Sequence, residues 1–219
     1  MSDDGAKTRY PGYDVWRKCD SPSWDAITRA VLEARVDTPA QPRFFNPAQW
    51  AVLVALCDGV VAQPAGRTAV PVEALLDARL LATAGQGWHD ARMPRWREAW
   101  RLGLIALDAE SQAAHGLPFA RLAPPERSAL ITRMQRGELR SEAWQGMPAA
   151  LFFSQRVLRD LYSAYYSHPA AWSEIGFGGP ANPRGYVRLY KNRRDPWEPV
   201  EATSPADTPA VARKNARVR

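Results

Sequence analysis

Apolar residues recur at three- and four-residue intervals along most of this chain, the spacing that gathers them on one face of an α-helix. Trp24, Ile27 and Val31 begin the first such face, with Ser21 as cap and Pro22 in the opening turn, which predicts a helix ending near Arg35. After a linker, "DTPAQPRFF", the run Asn46-Pro47-Ala48-Gln49 has the composition of a capping box with proline at the first helical position. Trp50, Leu53, Val54, Cys57, Val60 and Val61 then mark an apolar face that something must cover. Val72, Leu75, Leu76 and Leu80 predict a third helix, stopped by Gly85-Gln86-Gly87. Beyond Pro94, Trp96, Trp100, Leu104 and Leu107 share one face and Arg95, Glu98 and Arg101 another, predicting a long helix with a solvated basic side. Leu130, Ile131 and Met134 predict a shorter helix that ends at Gly137. Pro148 opens an aromatic helix with a central stripe of Leu151, Leu158, Leu161 and Tyr165, flanked by Phe152, Phe153, Tyr162 and Tyr166 and closed by Pro169 near Ser167.

No stretch alternates with the period of two that a sheet requires, apart from a weak strand candidate, "GYVRLY", at residues 185–190. The expected fold class is therefore all-α: a single compact multi-helix domain with a long Gly/Pro-rich loop after the last helix. Residues 1–15 are expected to be a flexible N-terminus, 16–198 the helical domain, and 199–219 a disordered basic tail, because the tail lacks aromatic residues and has little large apolar content.

Composition narrows the function classes. The longest apolar runs fall short of the roughly 20 residues that cross a bilayer, so no membrane span is expected. The opening "MSDDGAKTRYPGYDVW" carries acids, Pro and Gly where an export signal would be basic and then apolar, which makes the cytoplasm the default expectation. Two cysteines, Cys19 and Cys57, are too few for a disulfide framework and are read as free thiols. The net charge of +6 would permit nucleic-acid binding, but the cations are dispersed and two of the net charges lie in the last 21 residues.

The chain offers little catalytic chemistry. "GFGGPA" fails as a dinucleotide loop: Ala181 stands at the third glycine position, Pro180 removes a backbone donor, and a helix precedes it where a strand is needed. His89, His115 and His168 are far apart and none has the helical pairing of a zinc protease. No nucleophile elbow, haem-attachment motif or iron–sulfur cysteine set is present. His168 could serve as an acid or base with Glu174 or Asp160, but Ser-His-Pro is read first as a helix stop in which the imidazole caps carbonyls. Trp172, Phe177, Tyr186 and Trp197 fall on predicted loops, where they either meet a partner or fold back over the chain's own helices.

The runs "FFNPAQWAVLVALCDGVV", "GMPAALFFSQRVLRDLYSAYY" and "YYSHPAAWSEIGFGGPANPRGY" together resemble the gluconate 2-dehydrogenase subunit 3 family over about residues 10 to 198. The most specific portion is His168, Pro169, Trp172, Ile175, Gly176, Gly179, Pro180, Pro183, Arg184, Gly185 and Tyr186. The resemblance implies a non-catalytic helical subunit of a large flavoprotein dehydrogenase of the glucose-methanol-choline type, with FAD and substrate held by that partner and a cytochrome c subunit reached through the complex. It makes His168, Trp172, Phe177, Arg184, Tyr186 and Trp197 the expected partner-binding residues, with no catalytic, cofactor or metal site in this chain. Many relatives carry a twin-arginine export signal, absent here; the alternative to the cytoplasm is therefore the periplasm, reached with a signal-bearing partner. Outside the resemblance, the competing functions are acid–base catalysis at His168 and a nucleic-acid binder driven by the surplus of Arg.

Overall fold

The computed structural model describes residues 9–64, 68–83, 89–185 and 197–218. Among these residues the fold is all-α; an isolated parallel bridge between Trp24 and Asn182 is the only β-type pairing. Residues 186–190 of the strand candidate and the stop at Gly85–Gly87 lie outside the described residues. Contacts divide the chain into two compact units. One comprises Thr38–Ala62 and Pro71–Tyr165; the other comprises Met1–Asp37, Gln63–Val70 and Tyr166–Arg219.

The larger unit is built on α2 (Pro47–Val60), α3 (Val72–Ala82), α4 (Trp96–His115) and α5 (Pro124–Arg136). The expected capping box forms: the Gln49 amide donates to Asn46 Oδ1 at 2.9 Å and the Asn46 amide to Gln49 Oε1 at 3.3 Å. α5 begins with two prolines and ends where Gly137, at φ 69°, turns left-handed. Val72, Leu76, Leu80, Trp96, Trp100, Leu104 and Leu107 are all buried, as their spacing predicts, and Arg95, Glu98 and Arg101 are exposed.

Three buried carboxylates tie irregular backbone and indole groups into this core. Asp77 accepts the amides of Arg43, Phe44 and Phe45 at 2.9–3.1 Å, so the segment read as a linker is pinned to α3. Glu110 accepts the Ser141 amide at 2.7 Å and the Trp144 indole at 3.1 Å. Asp160 Oδ2 accepts the indoles of Trp96 and Trp100 at 2.6 and 2.8 Å.

The aromatic helix departs from its predicted face. It runs as α6 (Ala149–Phe152), a π-helical turn (Phe153–Leu158) and α7 (Arg159–Tyr165). A π turn fits an extra residue into one turn and so rotates everything after it. The buried set becomes Phe152, Phe153, Arg156, Val157, Asp160, Leu161, Ala164 and Tyr165, while Leu151 and Leu158 of the expected stripe are only half-buried. Burial pushes the Arg156 guanidinium down and neighbouring Asp160 opposes that shift.

In the other unit, α1 is Ala26–Val36, capped by Asp25, whose Oδ1 accepts the Thr28 amide at 2.7 Å. Ser21 is not the cap: its hydroxyl donates to the Lys18 carbonyl and accepts the Ser23 amide within a turn. Ile27 and Val31, placed on the expected core face, are 77% and 47% exposed, and the helix buries Leu32 instead. Residues read as a flexible start are also packed, since Tyr13 and Val15 join Trp24, Leu32, Trp172 and Val218 in one core cluster. The segment read as a disordered tail carries helix α9 (Thr208–Asn215). Composition misses this because a few buried side chains anchor it: Val218 packs in that cluster, and Asn215 donates to the carbonyls of Pro11 and Val200 and accepts the Val200 amide.

Two outcomes follow for stability. Gly→Ala in a helix ordinarily gains about 0.5–1 kcal/mol, but a Cβ on Gly103 of α4 would run into the buried Phe152 ring. Gly103→Ala therefore loses about 1–3 kcal/mol in urea denaturation. Asp77→Ala strands three amides and should cost about 2–4 kcal/mol in the same measurement.

Candidate functional site

The chain segment that carries the most specific motif begins at His168, which the structure places at the N-cap of a further helix, α8 (Pro169–Ile175). The imidazole does cap, but at a helix start: Nδ1 accepts the Ala170 amide at 3.1 Å, so the neutral ring keeps its proton on Nε2. The reading in which it caps carbonyls is thereby replaced. Burial, and secondarily the charge of Arg35, hold His168 below its ordinary value. Arg35 is anchored beside it by donating to the Ser167 carbonyl at 2.9 Å.

Trp172, expected on a loop, is instead on α8 and 6% exposed within the core cluster; its indole donates to the Tyr166 carbonyl at 2.5 Å. α8 ends at Gly176, at φ 71°, where a Cβ would strike the Tyr10 ring. The chain then runs as a loop, four of whose carbonyls are taken by the segment Tyr13–Asp25. The Tyr13 hydroxyl donates to Phe177 at 3.3 Å, Lys18 Nζ to Gly178 at 2.9 Å, the Trp24 indole to Pro180 at 3.0 Å and the Asp25 amide to Asn182 at 2.8 Å. The Asn182 amide donates in return to the Ser23 carbonyl at 2.8 Å, and its side chain to Asp25 at 2.6 Å. Lys18 is fully buried, and burying a charge this deeply is favourable only when it is well bonded.

The expected partner-binding residues therefore separate. Trp172 and His168 are buried and structural in position, whereas Phe177 is 42% exposed, its ring edge-on to Trp172 at 5.6 Å. Arg184 and Trp197 meet each other, the guanidinium lying 4.1 Å from the ring centroid. Tyr186 lies outside the described residues. Tyr166 and Ile175, at 46% and 45% exposure, are further exposed apolar residues of this segment, outside the expected partner-binding set. Sequence reasoning also missed Lys18 and Asn182 and read Trp24 only as part of a helix face; the available signal was that a Pro/Gly loop leaves carbonyls in need of outside donors.

For catalysis, His168 has one nitrogen committed to capping, and Asp160 Oδ2 is occupied by two indoles. Among the described residues no group of three His, Cys, Asp or Glu is placed to hold a metal, and no helix is long and apolar enough to cross a membrane. Cys19 and Cys57 are free thiols.

The His168 environment sets a pH dependence. A base whose folded value is depressed leaves the unfolded chain binding more protons, so its contribution is complete above its ordinary 6.5 and is lost as pH falls below that value. Urea midpoints measured between about pH 7.5 and pH 5 should fall for the native chain and fall less for His168→Asn, which keeps a capping acceptor without titrating.

A sequence profile of the family described as gluconate 2-dehydrogenase subunit 3 matches residues 47–179. No curated protein and no solved structure matches the chain. The profile covers more than half of the sequence and extends from the proline that opens α2 to Gly179 in the pinned loop; the chain belongs to the gluconate 2-dehydrogenase subunit 3 family, whose members are subunits of a dehydrogenase complex.

Proposed function

We propose that this chain is a non-catalytic accessory subunit that binds and stabilises a large FAD-dependent dehydrogenase of the glucose-methanol-choline type, acting on a sugar or sugar acid. In this reading FAD and substrate sit in the partner, a cytochrome c subunit is reached through it, and the chain assists the partner's maturation or export. The compartment is then that of the partner.

The observation that carries the proposal is the combination of a backbone fixed from behind with apolar side chains left outside. Four loop carbonyls between Phe177 and Asn182 are held by the Tyr13–Asp25 segment, while Ile175 and Phe177 remain more than 40% exposed. A segment already ordered loses little conformational entropy when it docks, so its aromatic and aliphatic contacts are retained as affinity. Membership in a family of complex subunits gives such a surface a partner.

The test is co-expression with the flavoprotein subunit and measurement of complex affinity. Ile175→Ser and Phe177→Ser should each weaken the complex by about 1–3 kcal/mol while leaving the melting temperature of the isolated chain nearly unchanged. Trp172→Ala is a poor probe because it empties the core. Unchanged affinity in the double variant would remove this loop from the interface, and failure of the native chain to bind any flavoprotein subunit would remove the proposal itself.

A further inference from the structure

The smaller unit contains a cleft of about 490 Å³, open to solvent along one side, between the 3₁₀ turn Val15–Lys18 and the start of α8. Its walls include Tyr13, Asp14, Trp16, Val36, Thr68 and His168. Neither the capping of α8 nor the pinning of the loop uses the space they enclose.

The wall chemistry selects for a cation. Tyr13 and Trp16 bring two aromatic rings to the cleft, and Trp16 is steadied by an edge-on contact with Trp24 at 5.7 Å. The electron-rich faces of such rings attract ammonium and guanidinium groups. Asp14 is exposed, and its Oδ1 accepts the Trp16 backbone amide at 3.0 Å, which fixes the carboxylate on the turn that lines the cleft. Among the described lining residues Asp14 carries the single formal charge, because His168 is neutral near pH 7. Val36, 41% exposed, and Pro169 supply apolar surface suited to a methylene stem. An anion would meet the Asp14 charge, and a wholly apolar ligand would leave that carboxylate without a counter-charge.

We infer that this cleft receives a basic side chain, arginine or lysine, from the partner subunit, with the cationic head between Asp14 and the Tyr13–Trp16 rings and the stem along Val36 and Pro169. The chemistry rests on the cleft alone; the identity of the donor rests on the accessory-subunit reading. A side chain borne on a protein suits the open geometry, since its backbone can stay outside while the head enters.

Two measurements separate these parts. In the first, the full chain is titrated with acetyl-Gly-Arg-Gly-amide and with the neutral citrulline counterpart, followed by the indole N–H signal of Trp16 in NMR. The arginine peptide should shift that signal and the citrulline peptide should not, and Asp14→Asn, which keeps an oxygen for the Trp16 amide, should abolish the response. Equal responses to the two peptides, no response to either, or an undiminished response in Asp14→Asn overturns the cation site. In the second, complex affinity with the flavoprotein subunit is measured against salt: Asp14→Asn should weaken it about tenfold and flatten its salt dependence. If the peptide binds but the affinity and salt slope of Asp14→Asn match the native chain, the cleft binds cations but the partner's side chain is not its occupant. Complex formation by the native chain in that same experiment leaves the accessory-subunit proposal standing on its own.

Discussion

The loop of glycine and proline between residues 176 and 185 leaves four of its carbonyls to donors elsewhere in the chain, and that constraint organises the smaller unit. Buried or half-buried carbonyls need donors, and here the donors come from some 160 positions earlier in the chain: a phenol, an ammonium, an indole and a backbone amide. Because they lie in one continuous stretch, Tyr13–Asp25, satisfying the loop also fixes the turn that carries Asp14 and Trp16 and the cap that starts α1. Lys18 shows the cost and the reason together, since a fully buried ammonium is tolerable when a carbonyl at 2.9 Å faces it. Asn215 performs a similar service for the later chain, binding Pro11 and Val200 at once.

The larger unit meets the same need with acids. Asp77, Glu110 and Asp160 each gather two or three donors, and six of those seven donors are backbone amides or indoles from aromatic residues or their neighbours. Large indoles such as Trp100, fully buried and edge-on to Phe152 at 5.4 Å, fill the core but bring an N–H that must be bonded when buried. Carboxylates resolve that conflict, and the π turn before Asp160 sets the phase that brings its Oδ2 to both indoles.

For a protein whose family consists of complex subunits, these arrangements divide labour among the motif residues. His168, Trp172 and the loop backbone hold the segment in place; Ile175 and Phe177 face outward from it. Residues that look alike in a motif thus do different things: Trp172→Ala would act through folding, and Phe177→Ser through binding.

Periodicity and punctuation determined the helical class, the Asn46 cap, the glycine end of α5, and the buried rows of α3 and α4, because these depend on neighbours within a few residues. The family resemblance was likewise carried by local runs. Only the tertiary structure decided which way α1 faces, since Leu32 and not the Ile27–Val31 row meets the Trp24–Trp172 cluster. It alone decided that Pro169 starts a helix capped by His168, that a π turn rephases the aromatic segment, and that Asn215 anchors α9. The facing of α1, the π turn and the Asn215 anchor depend on partners tens to hundreds of positions away, which a spacing rule along the chain has no access to; the His168 cap is local, but Ser-His-Pro reads equally well as a helix stop or a helix start.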